Sequence, residues 1–270
     1  MTEEERKARY FSPVLPKGKT EFEYVIRILP GKNGGKAISN VWYHEIDVPG
    51  YPSDNGKPKL YDPAKNEGKR SPISEVYEEL IKEDPVKNKE VAKKYLSKLF
   101  YIVKVIDRAN ESDGPKFWRF KHDHRKQGVY DKIMAIWESK GSLSDAENGR
   151  DIIIKVVEQK NPQTKKPYPS VVSILYEDKG PLHTNKELAA SWIEDPDTWE
   201  DVYSKKPVEY LEAVARGKTP RWDKNQNKYV YDSDIDSEDS FGGAPIKNEP
   251  TKEPDLDLQA DEDPFEELPF

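Results

Sequence analysis

The sequence predicts an α+β protein: a small β-barrel core with inserted and C-terminal helices, followed by a disordered acidic C-terminal tail. Three observations carry this. Short runs rich in β-branched and aromatic residues, bounded by Pro, Gly and Asn, recur between residues 21 and 176. Stretches with apolar residues at helical spacing interrupt and follow them. Charge is also split along the chain. From Asp232 to Phe270 there are 14 acidic and 2 basic residues, a net −12, so residues 1–231 carry +5 of the overall −7. A mildly basic body precedes a strongly acidic end.

Residues 1–19, charged and then rich in Pro and Gly, are expected to form a flexible N-terminal arm. The core is expected over 20–231, with a helical insertion at about 50–98. Glu21–Leu29 reads as a strand ended by Pro30-Gly31, and 31–35 (GKNGG) as a turn. Ala37–Val48 supplies a second strand, and 49–69 a long surface loop. Ser71-Pro72 opens a helix to about Lys82, with serine as cap and proline in the first turn. A helical stretch over 87–98 leads into the strand Leu99–Ile106. Phe117–Lys121 is a further strand, and Val129–Ser139 a helix with Ile133, Ile136 and Trp137 on one side.

Ile152–Val157 and Ser170–Tyr176 are strands joined by a basic turn. Thr184 and Glu187 form a capping-box pattern ahead of another helix. Pro207–Arg216 is a last helix closed by Gly217, and Trp222–Tyr231 a hairpin around Asn225-Gln226-Asn227. Beyond it the composition becomes Asp, Glu, Ser, Gly and Pro, the mark of disorder. Five or six short strands with helices inserted and appended fit an OB-fold best, and a small open sheet next.

Catalysis finds little support, and no enzyme activity, cofactor or metal is expected. The chain has no cysteine, hence no disulfide, thiolate ligand or cysteine nucleophile. The run Gly31–Lys36 is one residue short of a phosphate loop, and Ala37 stands where Ser or Thr is required. His122 and His124 share a strand face, with His44 and His183 elsewhere, but histidines in a charged turn are ordinarily just exposed. The N-terminus lacks an apolar leader and no stretch reaches membrane-spanning length, so a cytoplasmic protein without membrane contact is expected.

Aromatic residues interleaved with Lys and Arg point to single-stranded nucleic acid, which is held by a cationic groove along the phosphates and by rings that stack bases. Lys93, Lys94, Tyr95, Lys98, Trp118, Arg119, Lys121, Arg125, Lys126 and Tyr130 fall in one such span; Lys166 and Tyr168 form a second lobe. Strand pleating puts Trp118 and Phe120 on one face and Arg119 on the other, so Trp118 and Arg119 cannot both enter one groove from regular pleating. The tail ends in Asp261, Glu262, Asp263, Phe265 and then Leu268-Pro269-Phe270. Solvation needs only charge, so an apolar tip on an acidic run suits a peptide that enters a basic-rimmed pocket on a partner. The same tail can compete with DNA for the basic cleft.

The tip resembles the C-terminus of bacterial single-stranded DNA-binding proteins. The body resembles the single-stranded DNA-binding proteins of T-even-type bacteriophages. Val25–Asn33 (VIRILPGKN) is similar to that family's first core strand and turn; 102–136 is similar to its central block, with Phe117-Trp118-Arg119-Phe120 and Tyr130-Asp131-Lys132-Ile133; and 149–157 to the strand that follows. The resemblance implies an OB-fold core, a basic aromatic cleft, and work in DNA replication, recombination and repair. It implies that Arg27 contacts phosphate, that Trp118 and Arg119 lie in the cleft, and that Lys93, Lys94 and Lys98 line its rim. Lys32, in the turn, is expected beside them.

Two departures stand out. The best-known relative has a zinc subdomain with a C-P-V-C pair, where this chain has Ser71-Pro72-Ile73-Ser74, so zinc is not expected and packing must hold the insertion. Arg6-Lys7-Ala8-Arg9 lacks the paired hydroxyls of the family's cooperativity motif, which leaves self-association on DNA an open expectation. The function expected is sequence-independent binding of single-stranded DNA, with replication and recombination proteins recruited through the tail. The alternative is an OB-like protein–protein adaptor without intrinsic DNA binding.

Overall fold

The computed structural model describes residues 5, 8–51, 57–125, 127–162, 164–203 and 205–231. The tail at 232–270 lies outside the described residues. The expectation of disorder there, and the roles given to Asp261, Glu262, Asp263, Phe265, Leu268, Pro269 and Phe270, concern that part, and Lys126 is likewise outside.

Eight strands make one mixed sheet: β1 (Tyr10–Phe11), β2 (Glu21–Ile28), β3 (Ile38–Glu45), β4 (Lys59–Tyr61), β5 (Ser97–Asp107), β6 (Lys116–Lys121), β7 (Gly149–Lys160) and β8 (Pro167–Gly180). The order is β1-β6-β5-β2-β7-β8, with β3 on β5 and β4 on β3. β5 is the hub. One edge takes β6, while the other takes β3 over 97–103 and then β2 over 105–107. Among the described residues no pairing joins β8 back to β1 or β6, so the hydrogen bonding does not close a barrel. A small separate hairpin pairs β9 (Arg221–Asp223) with β10 (Lys228–Val230), turning at Asn227 with φ +49°.

The helices are α1 (Pro63–Glu67), α2 (Pro72–Glu83), α3 (Lys89–Ala92), α4 (Val129–Lys140), α5 (Lys186–Glu194), α6 (Trp199–Val202) and α7 (Val208–Ala215). Several expectations need correction. The loop expected over 49–69 contains β4 and α1, because Leu60 and Tyr61 are buried and the Asp62 carboxylate caps α1 by accepting from Ala64 N at 3.0 Å. The helix expected over 87–98 is a single turn, and β5 begins at Ser97. The cap of α5 is Asn185, one residue after Thr184; its side chain accepts from Glu187 N and Leu188 N. The N-terminal stretch, read as a flexible arm, is tied down at β1, where Phe11 packs edge-on to Trp118 and Tyr24.

The main core lies on one face of β5 and β6, with β2 and β7, under α4. It holds Ile26, Ile28, Val103, Trp118, Ile133 and Ile154, all nearly inaccessible. Arg27 points away from that core and is only 2% exposed. Its guanidinium meets Asp151 Oδ1 at 3.2 Å and donates to the carbonyls of Asp145 at 3.1 Å and Gly180 at 2.7 Å. Gly149 must be glycine here, since a Cβ would fall 2.4 Å from the Asp145 carbonyl oxygen and 2.8 Å from that of Leu143, as well as 2.7 Å from the guanidinium. Arg27 is therefore a cross-brace between β2 and both ends of the β7–β8 hairpin, and the phosphate contact implied by the resemblance is not available to it.

The insertion is held by apolar packing of Ile46, Leu60 and Ile73 against Leu211 and Val214 of α7, and by a buried polar cluster. His44 Nε2 lies 3.5 Å from each of Ser71 Oγ, Ser74 Oγ and Asp62 Oδ1, while His44 Nδ1 is 2.8 Å from the Tyr95 carbonyl. Ser71 thus serves this cluster and makes no side-chain cap to α2. One imidazole, one carboxylate and two hydroxyls do not supply the thiolate pair of the zinc subdomain in the phage proteins that the sequence resembles. Among the described residues no three His, Cys, Asp or Glu converge on a metal position.

Burial works to raise the Asp62 carboxyl, and His44 together with the Ser97 and Ser71 hydroxyls outweighs it, leaving the group well below its usual range. A carboxylate depressed by folding contributes stability that is full above its unfolded pKa and is lost as pH falls through the folded one. Stability is therefore expected to decline below about pH 4, and Asp62→Asn to flatten that acid limb in urea unfolding curves. An identical acid limb in the variant would assign the acid sensitivity to other carboxylates.

Candidate nucleic-acid interface

Strand alternation builds an outer face on the opposite side of β3–β6 from the main core, whose Val41, Tyr43, Phe100, Ile102 and Phe117 side chains are themselves buried, while Arg119 is half-buried. Cross-strand register sets Tyr61 beside Tyr43, Val41 beside Phe100, Phe100 beside Lys121, Ile102 beside Arg119, and Lys104 beside Phe117. Trp118 and Phe120, of opposite parity, go to the core, where Trp118 is 2% exposed. Trp118 therefore cannot stack a base, which corrects its expected place in the cleft, whereas Arg119 does reach the outer face. Its guanidinium lies 5.3 Å from the Tyr10 ring centre and 5.4 Å from that of Tyr43.

Around Arg119 the surface is cationic. Glu45 is ringed by Lys121 at 3.0 Å, Lys98 at 3.2 Å and Lys59 at 3.7 Å, so one carboxylate faces three ammonium groups. Burial tends to raise the Glu45 carboxyl, and Lys121 and Lys98 outweigh it, holding it below its usual value. Lys59 is lowered by burial first and by the Arg119 charge next, against the pull of Glu45. The Tyr43 hydroxyl is buried beside Arg119, and burial pushes it far above its usual pKa.

The rings on this face form a second cluster. Tyr43, Phe100 and Phe117 are buried, and Tyr10, Trp199 and Tyr203 are partly exposed against them. Tyr203 pins the cover: its hydroxyl donates to the Lys59 carbonyl at 2.5 Å and accepts from Tyr61 N at 2.9 Å. Lys205 lies 4.3 Å from the Tyr61 ring centre. Next to this cluster a cleft of 340 Å³ opens between Lys32, Lys36, Lys104, Phe117 and Trp199.

Of the expected site residues, the fold brings Lys98, Arg119 and Lys121 together and sets Lys32 at the adjoining cleft. Lys93 and Lys94 sit on the turn after α3, Lys93 paired with Glu90, and Tyr95 packs partly into the α2–α7 core. Arg125 is exposed beyond β6. Tyr130, on α4, is stacked on Tyr101 at 3.9 Å, which commits one of its faces. Lys166 and Tyr168 are exposed at the tip of the β7–β8 hairpin, with the Tyr168 hydroxyl on Gln159.

Arg9, Tyr10, Tyr43, Lys59, Lys104 and Trp199 were not singled out by sequence. Lys59 and Tyr61 carried a usable signal, an alternating K-L-Y run inside the presumed loop. No protein-family model matches the chain, and no curated protein matches it.

Proposed function

We propose that the protein binds single-stranded DNA without sequence preference across the outer face of β3–β6, on an OB-fold-like core. The observation that carries this is the cluster of Lys59, Lys98 and Lys121 around Glu45, with Arg119 over the Tyr10 and Tyr43 rings beside it, on one sheet face. Phosphates would replace Glu45 as partners of these cations, and the partly exposed ring of Tyr10 offers a stacking surface. Base stacking of this kind contributes about 1–3 kcal/mol per base and is indifferent to sequence. The motif resemblance to T-even-type phage proteins supports the same reading and a role in replication, recombination and repair in the host cytoplasm. Among the described residues no helix is long and apolar enough to cross a membrane. The acidic tail would recruit partner proteins by its Leu268-Pro269-Phe270 tip and compete with DNA for the cations.

A fluorescence titration with oligo-dT and with duplex of equal length tests the reading. Single-strand binding should weaken with salt by about 0.7 log units of affinity per tenfold in salt for each phosphate neutralised. Arg119→Glu should weaken it by about 2 kcal/mol or more, roughly thirtyfold, with the melting temperature little changed. Equal affinity for duplex, or an Arg119→Glu variant that binds like the native protein, would move the function to protein–protein adaptation.

A further inference from the structure

The segment that follows α5 lies on three cations, Arg9, Lys32 and Lys104, outside the Glu45 cluster. Asp195 and Asp197 both accept from Arg9 Nη2, at 3.0 and 2.7 Å. Lys104 Nζ meets the Asp195 carboxylate at 3.2 Å and donates to the carbonyls of Asp195 at 3.0 Å and Asp197 at 2.9 Å. Lys32 Nζ donates to the Pro196 carbonyl. Three cations from three separate stretches of chain thus converge on one short acidic segment, 195–201, which also contains Glu200 and Asp201.

The cations continue the proposed DNA surface. Lys104 follows Phe100 and Ile102 on the outward face of β5, and it lies over the Phe117 ring at 5.6 Å. Arg9 precedes Tyr10, the ring over which Arg119 sits. The segment also screens rings, since Trp199 packs on the cluster containing Phe117 and Phe100. Its own scaffold is slight: α6 has only 4 residues, and the turn before it is closed by Asp and Thr side chains bonding nearby amides.

We propose that Arg9, Lys32 and Lys104 form a second phosphodiester-binding strip, and that residues 195–201 are a strap occupying it, with Asp195 and Asp197 where phosphates bind. A single strand reaches the strip, and the rings beneath Trp199, by displacing the strap. This rests on the proposed single-strand binding and extends its site. Phosphates and carboxylates are both charge-assisted acceptors for Lys and Arg, so a phosphate can take the place of each carboxylate.

Hydrogen exchange on the full-length native chain, with and without saturating oligo-dT at low salt, tests the strap directly. The proposal expects the amides of residues 197–203 to exchange faster in the complex, as the turn bonds from Thr198 and Asp201 are released. Unchanged or slower exchange there, with DNA bound, overturns it. A second arm uses Asp195→Asn with Asp197→Asn, checked by thermal melting. Oligo-dT should bind roughly tenfold more tightly, and adding Lys32→Ala should reverse part of the gain. Native binding that needs Arg119 but is unaffected by the paired Asn substitutions would overturn the strap alone. Absence of oligo-dT binding in both native and strap-substituted protein would overturn the DNA reading and the strap with it.

Discussion

Trp118→Ala is expected to cost about 4 kcal/mol of folding stability, the range for emptying a large aromatic site in a packed core. The indole is 2% exposed and makes ring contacts with Phe120 at 4.7 Å and Phe11 at 6.0 Å. Its loss also loosens β1, which has Phe11 as its only fully buried side chain. Urea unfolding measures the cost, and oligo-dT affinity of the folded variant should stay within about twofold of native, because the ring cannot reach a base. The neighbouring Arg119 should show the opposite pattern, with affinity lost and stability kept. A Trp118→Ala protein of native stability that had lost DNA binding would put the indole back in the cleft and invert the assignment of the two sheet faces.

Arg27→Met is expected to destabilise by about 3 kcal/mol, a melting-temperature drop of roughly 6–12 °C for a body of this size. The methionine fills much of the volume but leaves the carbonyls of Asp145 and Gly180 without their donor. Asp151 is not stranded, because Arg108 holds it through two contacts at 2.7 and 2.9 Å. That second arginine keeps the cost below that of an uncompensated buried charge. Burial draws the Arg27 guanidinium below its usual pKa, against the pull of Asp151, as befits a group stabilised only by close partners. Calorimetry on the variant decides the matter. A native melting temperature combined with weakened DNA binding would restore the phosphate-contact role.

Much of the architecture was legible because periodicity and turn chemistry are local. The strands around Val25, Val103, Phe117 and Ile154, the helix from Pro72 and the hairpin at Asn227 were all placed by alternation, proline or turn residues. β4 and α1 were hidden by a composition of Lys, Pro, Asn and Gly, where two buried side chains, Leu60 and Tyr61, decided the outcome. In the site, pleating separated Trp118 from Arg119 correctly, but sequence could not say which face was outward. Both parities of β5 are apolar, so hydrophobic pattern alone does not distinguish core from cleft. Arg27 was placed on phosphate by the resemblance alone, while the partners that bury it, Asp151 and Gly180, lie far along the chain. The strap could not be foreseen, since it joins Arg9 to Asp195 across the length of the body.

The short parallel strand β1 has a bearing on colloidal behaviour. β5 occupies one edge of β6, and among the described residues β1 covers the other only at Phe117 and Trp118, aided by Phe117 N donating to the Arg9 carbonyl at 2.8 Å. Unguarded strand edges are templates for intermolecular β-pairing, and proteins blunt them with short covers and with lysines such as Lys121. Clipping by a protease just past Phe11 would uncover this edge together with the apolar flank of Trp118. A trimmed chain would then face precipitation through edge-to-edge stacking before it faced unfolding, so its shelf life would be set by the first few residues.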